Sequence, residues 1–135
     1  MSYAGDLPPG DAFERLATDP DAVLVDVRTA AEWQYVGVPD LSSIGKGVIG
    51  ISWPLPGQGT AQDFVDQLTD LDPGAPLLFI CRSGQRSRSA AVAATAAGFG
   101  EAYNVAEGFE GDLDPTGHRA TVSGWKVAGL PWRQT

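Results

Sequence analysis

The sequence predicts an α/β fold, an open parallel sheet of about five strands with helices on both faces. Two observations carry this expectation. Two short apolar runs, residues 23–27 (V-L-V-D-V) and 77–81 (L-L-F-I-C), lack the alternation of a half-solvated strand and so read as strands buried on both faces. Segments with helical spacing lie between the strand candidates, and strands alternating with helices imply a parallel sheet.

Residues 3–5 are a candidate edge strand, and 11–18 are the first helical segment. The turn D-P-D-A precedes the first buried run. Residues 30–35 form a second helical segment and 48–53 a weaker strand candidate. In 61–71, Phe64, Val65, Leu68 and Leu71 fall at i, i+1, i+4 and i+7, one apolar stripe with Asp63, Asp66, Gln67 and Asp70 outside it. The turn D-P-G-A-P introduces the second buried run. Six of the eleven residues from 87 to 97 are Ala, a helix that can lie close to a sheet and that ends at Gly98. Residues 102–105 supply a further strand. From about 109 the chain is rich in Gly and Pro, and we read it as an irregular C-terminal wrap within a single domain of residues 1–135.

At 135 residues the chain suits one hydrophobic core, and 43% hydrophobic against 19% charged residues argues against disorder. No apolar run is long enough to span a membrane, and the first residues lack the pattern of a signal peptide, so a cytoplasmic location is expected. A net charge of −8 disfavours nucleic acid and anionic membranes as partners. Yet Arg82, Arg86 and Arg88 place three of the nine basic residues within seven positions, directly after the single Cys. A local anion site on an acidic protein is the expectation.

Cys81 stands at the carboxyl end of the second buried run, the sheet edge where ligands bind in open α/β folds. The loop R-S-G-Q-R-S leads from it into the Ala-rich helix, whose first N–H groups have no intrahelical acceptor and form an anion site. Gly84 gives this loop access to conformations closed to other residues, so that several amides can face inward. Helix amides and guanidinium groups both favour a thiolate. These residues point to a nucleophilic Cys81 in a cationic cradle.

The stretch C-R-S-G-Q-R-S-R-S-A-A resembles the active-site loop and following helix of the rhodanese (thiosulfate sulfurtransferase) superfamily. V-D-V-R-T-A-A-E-W at 25–33, A-Y-N-V with E-G-F-E-G after it, and G-W-K-V-A-G-L-P-W near the end resemble further signatures of that family, in the family's order. The resemblance implies a rhodanese-like sheet and a persulfide cycle: Cys81 takes the sulfane sulfur of a donor such as thiosulfate and passes it to cyanide or a thiol. It also implies that Arg82, Ser83, Gly84, Gln85, Arg86 and Ser87 form the substrate-binding loop, with backbone amides around the sulfur and Arg82 and Arg86 attracting the donor's sulfonate. No metal or cofactor is implied, and one Cys with one His cannot supply three or four soft ligands. The chain departs from the family at V-G-V-P-D-L-S-S-I-G-K-G after Trp33, at Glu107 in the late Gly pair, and in the inserted segment 112–123.

Asp26 and Arg28 are assigned a supporting role, hydrogen-bonding loops to each other. His118 is read as a loop-bracing residue rather than a base for Cys81, and Asp112 and Asp114 as solvated carboxylates. Gly45, Lys46 and Gly47 lack the spacing of a phosphate-binding loop. Trp33, Trp53, Trp125 and Trp132 read as packing. Two other functions compete with sulfur transfer: a phosphatase or arsenate reductase, and a regulatory module. Related phosphatases carry C-x5-R, whereas four residues separate Cys81 from Arg86 here, and one residue fewer removes up to about 3.8 Å of contour. Retention of the Cys and both loop arginines favours catalysis. The expected partners are a small sulfur donor and a thiol or cyanide acceptor, with a monomer and a dimer both open.

Overall fold

The computed structural model describes residues 2–134, and its elements follow in the order β1 (Gly5–Leu7), α1 (Pro9–Thr18), β2 (Val23–Asp26), α2 (Ala30–Tyr35), β3 (Val38–Pro39), a 3-10 turn (Ser42–Ile44), β4 (Ile49–Gly50), α3 (Ala61–Asp66), β5 (Leu77–Ile80), α4 (Gln85–Ala96), β6 (Ala102–Val105) and β7 (Trp132–Arg133). Five strands form one parallel sheet in the order β1-β6-β5-β2-β4. The fold is therefore the expected α/β sheet, with the two apolar runs, β2 and β5, side by side near its centre.

The pleat explains why those runs do not alternate. Leu77 and Phe79 of β5 pack with Phe64 and Leu68 and with Ala90, Ala91 and Ala94 of α4. Leu78 and Ile80 point the other way, to Ala12 and Leu16 of α1 and to Trp125. Both faces are thus apolar, each such side chain contributing roughly 1.5–3 kcal/mol on burial. The small side chains of α4 let its backbone lie close to β5 and β6, placing its first turn against the end of β5.

Several boundaries differ from expectation for local reasons. The edge strand lies at Gly5–Leu7 rather than 3–5. Helix α1 starts earlier, at Pro9, because a proline in the first turn has a suitable φ and lacks an N–H that would be orphaned there. Helix α2 matches 30–35, started by Thr29 and Glu32 in a reciprocal capping box. Helix α3 stops at Asp66, where Leu68 N–H reaches Val65 O (2.9 Å) in a tighter turn, yet Phe64 and Leu68 remain fully buried, so the stripe outlasts the helix. Of the strand expected at 48–53 only Ile49–Gly50 is ladder, although Ile51 and Trp53 N–H groups still bond Asp26 and Val27 carbonyls.

The C-terminal wrap is more regular than expected. It ends in β7, which pairs antiparallel with β3, and Trp125 is fully buried with its indole N–H on Pro131 O at 2.7 Å. The segment after Trp33 is thereby closed over by the chain end. Lys46 there donates to the carbonyls of Asp19 and Ala22 (2.6 and 2.8 Å), a bracing contact and not an anion site. Among the described residues no helix is long and apolar enough to cross a membrane.

Candidate active site

Cys81 follows the last residue of β5 and is 1% exposed. Its Sγ accepts the Gly84 N–H at 3.1 Å and lies 3.2 Å from Ser87 Oγ. Gly84, at φ 108, is the N-cap of α4 in a left-handed conformation, so the helix begins two residues before its expected start. The start of α4 therefore lies beside the thiol, with the Gly84 N–H and Ser87 Oγ both on Sγ.

A second turn holds the loop from outside. Phe109 N–H bonds Cys81 O (2.8 Å), and the N–H groups of Glu110 and Gly111 bond Arg82 O (3.0 and 3.2 Å). The carbonyls of Cys81 and Arg82 are thus both engaged by this turn. Gly108 makes this possible: at φ 68, a Cβ there would lie 2.6 Å from the carbonyl oxygens of both Cys81 and Arg82. Its neighbour Glu107 also has positive φ (68°), and its carboxylate accepts Gly124 N–H at 2.9 Å. The departure from a Gly pair thereby ties the turn to the C-terminal wrap.

Arg86 is less free than the sequence implied. Its guanidinium makes a two-pronged pair with Glu32 of α2, at 2.7 and 2.9 Å. Burial works against the charge on Glu32, but the Arg86 fork and the Thr29 N–H outweigh it and hold the carboxyl at about 2, while Glu32 in turn raises Arg86. The Arg86 guanidinium is thus engaged by Glu32 in the first turn of α4, next to the loop that carries Cys81. Arg82 is exposed beside the loop, and among the described residues no side-chain partner engages it. Ser83 and Gly84 are half-buried and Gln85 exposed. Arg88 is exposed, its guanidinium 5.9 Å from the centre of the Tyr3 ring.

Asp26 and Arg28 are buried together at the end of β2, their side chains joined at 2.7 and 3.0 Å. Arg28 also donates to Gly37 O (2.8 Å), accepts Ser52 Oγ–H at its carbonyl, and stacks 4.4 Å from the centre of Phe109. The pair fastens three loops and has no hydrogen bond to Cys81. His118 is exposed, its Nδ1 2.9 Å from Thr116 Oγ1, and is not within the Cys81 hydrogen-bond set. Asp114 is more than a solvated carboxylate. It accepts from Thr121, Thr116 and the His118 N–H, which hold it well below the usual range and shape the inserted segment. Asp112 is exposed. Among the described residues no group of three His, Cys, Asp or Glu side chains could hold a metal ion.

Three residues of this environment carry no role in the sequence reading: Glu32, Asn104 and Asp6. Ser87 Oγ donates to Asn104 Oδ1 at 2.6 Å, and Asn104 Nδ2 donates to Asp6 Oδ1 at 3.0 Å. Glu32 could have been suspected from its T-x-x-E spacing, but nothing local marks Asn104 or Asp6.

The family described as the STR4 middle domain matches residues 8–135. An uncharacterised Rickettsia conorii protein is 39% identical over 125 residues, covering 90% of this chain and 91% of the relative. The thiosulfate sulfurtransferase GlpE of Pseudomonas savastanoi is 36% identical over 89 residues, 66% of this chain and 70% of that protein. The crystal structure of Rv0390 from M. tuberculosis superposes with a TM-score of 0.89 at 52% identity, covering 99% of this chain and 100% of that one.

Proposed function

This chain belongs to the STR4 middle-domain family of rhodanese-like domains, and from that premise we propose that it is a sulfurtransferase working through a persulfide on Cys81. The observation that carries the reading is the seat of Cys81 Sγ, at a strand end, bonded to the Gly84 N–H and facing the first turn of α4. The sulfurtransferase named among its relatives supports it.

In the proposed cycle the Cys81 thiolate attacks the outer sulfur of thiosulfate. An S–S bond forms to Sγ, the bond to the sulfite sulfur breaks, and sulfite leaves with that electron pair. The outer sulfur of Cys81–S–S⁻ is then held by loop amides and the α4 N-terminus. A cyanide carbon or an acceptor thiolate attacks it, the S–S bond breaks, and the Cys81 thiolate returns. No outside oxidant or reductant is consumed. Arg82, exposed and unpaired, draws the anionic donor in, while Arg86, fixed by Glu32, keeps the loop in shape. The same pair weighs against phosphate-ester chemistry, because it occupies the guanidinium that would have to grip a tetrahedral oxyanion.

Intact-protein mass spectrometry after thiosulfate exposure is the test. A gain of one sulfur atom, lost on adding cyanide with release of thiocyanate and absent in Cys81→Ser, is expected. An unchanged mass, or an equal transfer rate in Cys81→Ser, removes the assignment.

A further inference from the structure

A buried polar chain runs from the thiol to the surface: Cys81 Sγ, Ser87 Oγ, Asn104 Oδ1 and Nδ2, Asp6 Oδ1. Cys81, Ser87 and Asn104 are at most 5% exposed, whereas Asp6 faces solvent on the edge strand. Asp6 and Asn104 are register partners across the β1–β6 pair, so backbone pairing holds the last link in place.

The direction of every bond follows from the far end. An ionised carboxylate only accepts, so Asp6 requires the NH2 side of the Asn104 amide. That turns the amide oxygen toward Ser87, which donates its single hydroxyl proton there, at a short 2.6 Å. Ser87 then has only lone pairs to offer Cys81, and the 3.2 Å contact is satisfied when Sγ carries the proton. An amide does not hand protons along, so the chain orients and does not conduct.

We infer that Asp6 is a positioning residue that, through Asn104 and Ser87, sets the polarity around Cys81 and holds the resting sulfur as an S–H donor to Ser87. The inference deepens the sulfurtransferase reading and rests on it for its purpose. The attacking thiolate forms against this network, favoured by the α4 N-terminus and by Arg86. The inner sulfur of a persulfide, with neither proton nor charge, meets the Ser87 lone pairs without that conflict. The network therefore disfavours the free thiolate relative to the sulfur-loaded state, and keeps an unloaded nucleophile from reacting indiscriminately.

The charged groups around Cys81 are the exposed Arg82 beside it in the loop, Arg86 on α4 with its partner Glu32 on α2, and the Asp26–Arg28 pair at the end of the neighbouring strand β2. Around Asp6 they are Tyr3, whose hydroxyl donates to Oδ1 at 2.8 Å, and Arg88 of α4 over the Tyr3 ring. None of these dictates which way the Ser87 proton points. Asn104 does.

The test is the rate of iodoacetamide alkylation across pH 5–10. It reads Cys81 alone, since the chain has one Cys, and needs no sulfur donor, so it stands or falls separately from sulfur transfer. Ser87→Ala removes the acceptor of the thiol proton and should move the profile to lower pH, with alkylation at pH 6 roughly two- to tenfold faster. Asp6→Asn frees Asn104 to turn its NH2 toward Ser87 and should shift the profile the same way. The Asp6→Asn shift should persist at 0.5 M salt, where a purely Coulombic effect of one exposed charge is screened. A shift of Ser87→Ala to higher pH would mean that Ser87 donates to a thiolate and would overturn the inference. So would an Asp6→Asn profile that matches wild type or whose shift vanishes in salt.

Discussion

Arg86 and Glu32, 54 residues apart in sequence, meet through two parallel hydrogen bonds of 2.7 and 2.9 Å that lock the start of α4 to the start of α2. Glu32 is at once the capping residue of α2 and the anchor of the loop arginine, through Thr29 on one side and Arg86 on the other. One carboxylate thus couples a helix start to the shape of the Cys81 loop.

Replacing the fork should therefore cost more than replacing the charge. Lys at position 86 keeps the charge but offers Glu32 a point contact. Arg86→Lys should lower sulfur transfer by about tenfold or more, the scale of one charge-assisted hydrogen bond, with near wild-type secondary structure. Steady-state thiocyanate formation checks it, and activity equal to wild type would show that charge alone suffices.

The same pair sets an acid limit. The Glu32 carboxyl, ordinarily near 4.5, is held at about 2 in the fold. A lowered folded value means that its stabilisation is fully present above the ordinary value and is lost as pH falls through about 2. The difference in denaturation midpoint between wild type and Glu32→Gln should be larger at pH 6 than at pH 3. A gap independent of pH would show that the carboxylate's charge contributes nothing.

Gly108 closes the loop from the other side. Gly108→Ala places a methyl group 2.6 Å from two loop carbonyl oxygens, at a φ of 68° that itself costs about 1–2 kcal/mol for a non-glycine. The hydrogen bonds from residues 109–111 to the loop should be disturbed, and persulfide formation should fall further than in Gly117→Ala, where a Cβ at similar φ meets nothing. Matching activities for the two variants would show that the clamp is dispensable.

Arg82 should act at long range. Steering of a dianion weakens as the Debye length shortens from about 30 Å at 0.01 M salt to about 8 Å at 0.15 M. The KM for thiosulfate should rise with ionic strength, and Arg82→Ala should flatten that dependence. A KM that ignores salt would confine the role of Arg82 to contacts at the site.

Loop length should decide between sulfur and phosphate esters. With four residues between Cys81 and Arg86, hydrolysis of an aryl phosphate should not exceed that of Cys81→Ser. One Gly inserted between Gly84 and Gln85 should loosen the Arg86–Glu32 pair and weaken sulfur transfer. Cys81-dependent phosphatase turnover in the unmodified protein would reverse this conclusion.

Much of this was legible in the chain. The two unalternating runs became the two central strands, because a strand buried on both faces leaves no polar position in its pattern. The Ala-rich run marked the helix behind Cys81, because propensities act within a few residues. Helix α3 came out shorter than its apolar stripe, since periodicity reports burial and not hydrogen-bond type. The ribbon of β3 with β7 went unseen, being two residues a side and joining segments more than ninety apart.

Cys81 at a strand end, Gly84 in the turn and the arginines after it follow from neighbours in sequence, so the seat of the thiol and its loop could be read from residues alone. What each arginine does could not. Arg86 is bound and Arg82 is free because α2 lands beside one and not the other. Asn104 and Asp6, 98 residues apart, touch only because β1 and β6 pair in one register. Contacts within a turn are set by local geometry, whereas the hydrogen bonds that give the thiol its surroundings exist only once the sheet has brought distant strands together.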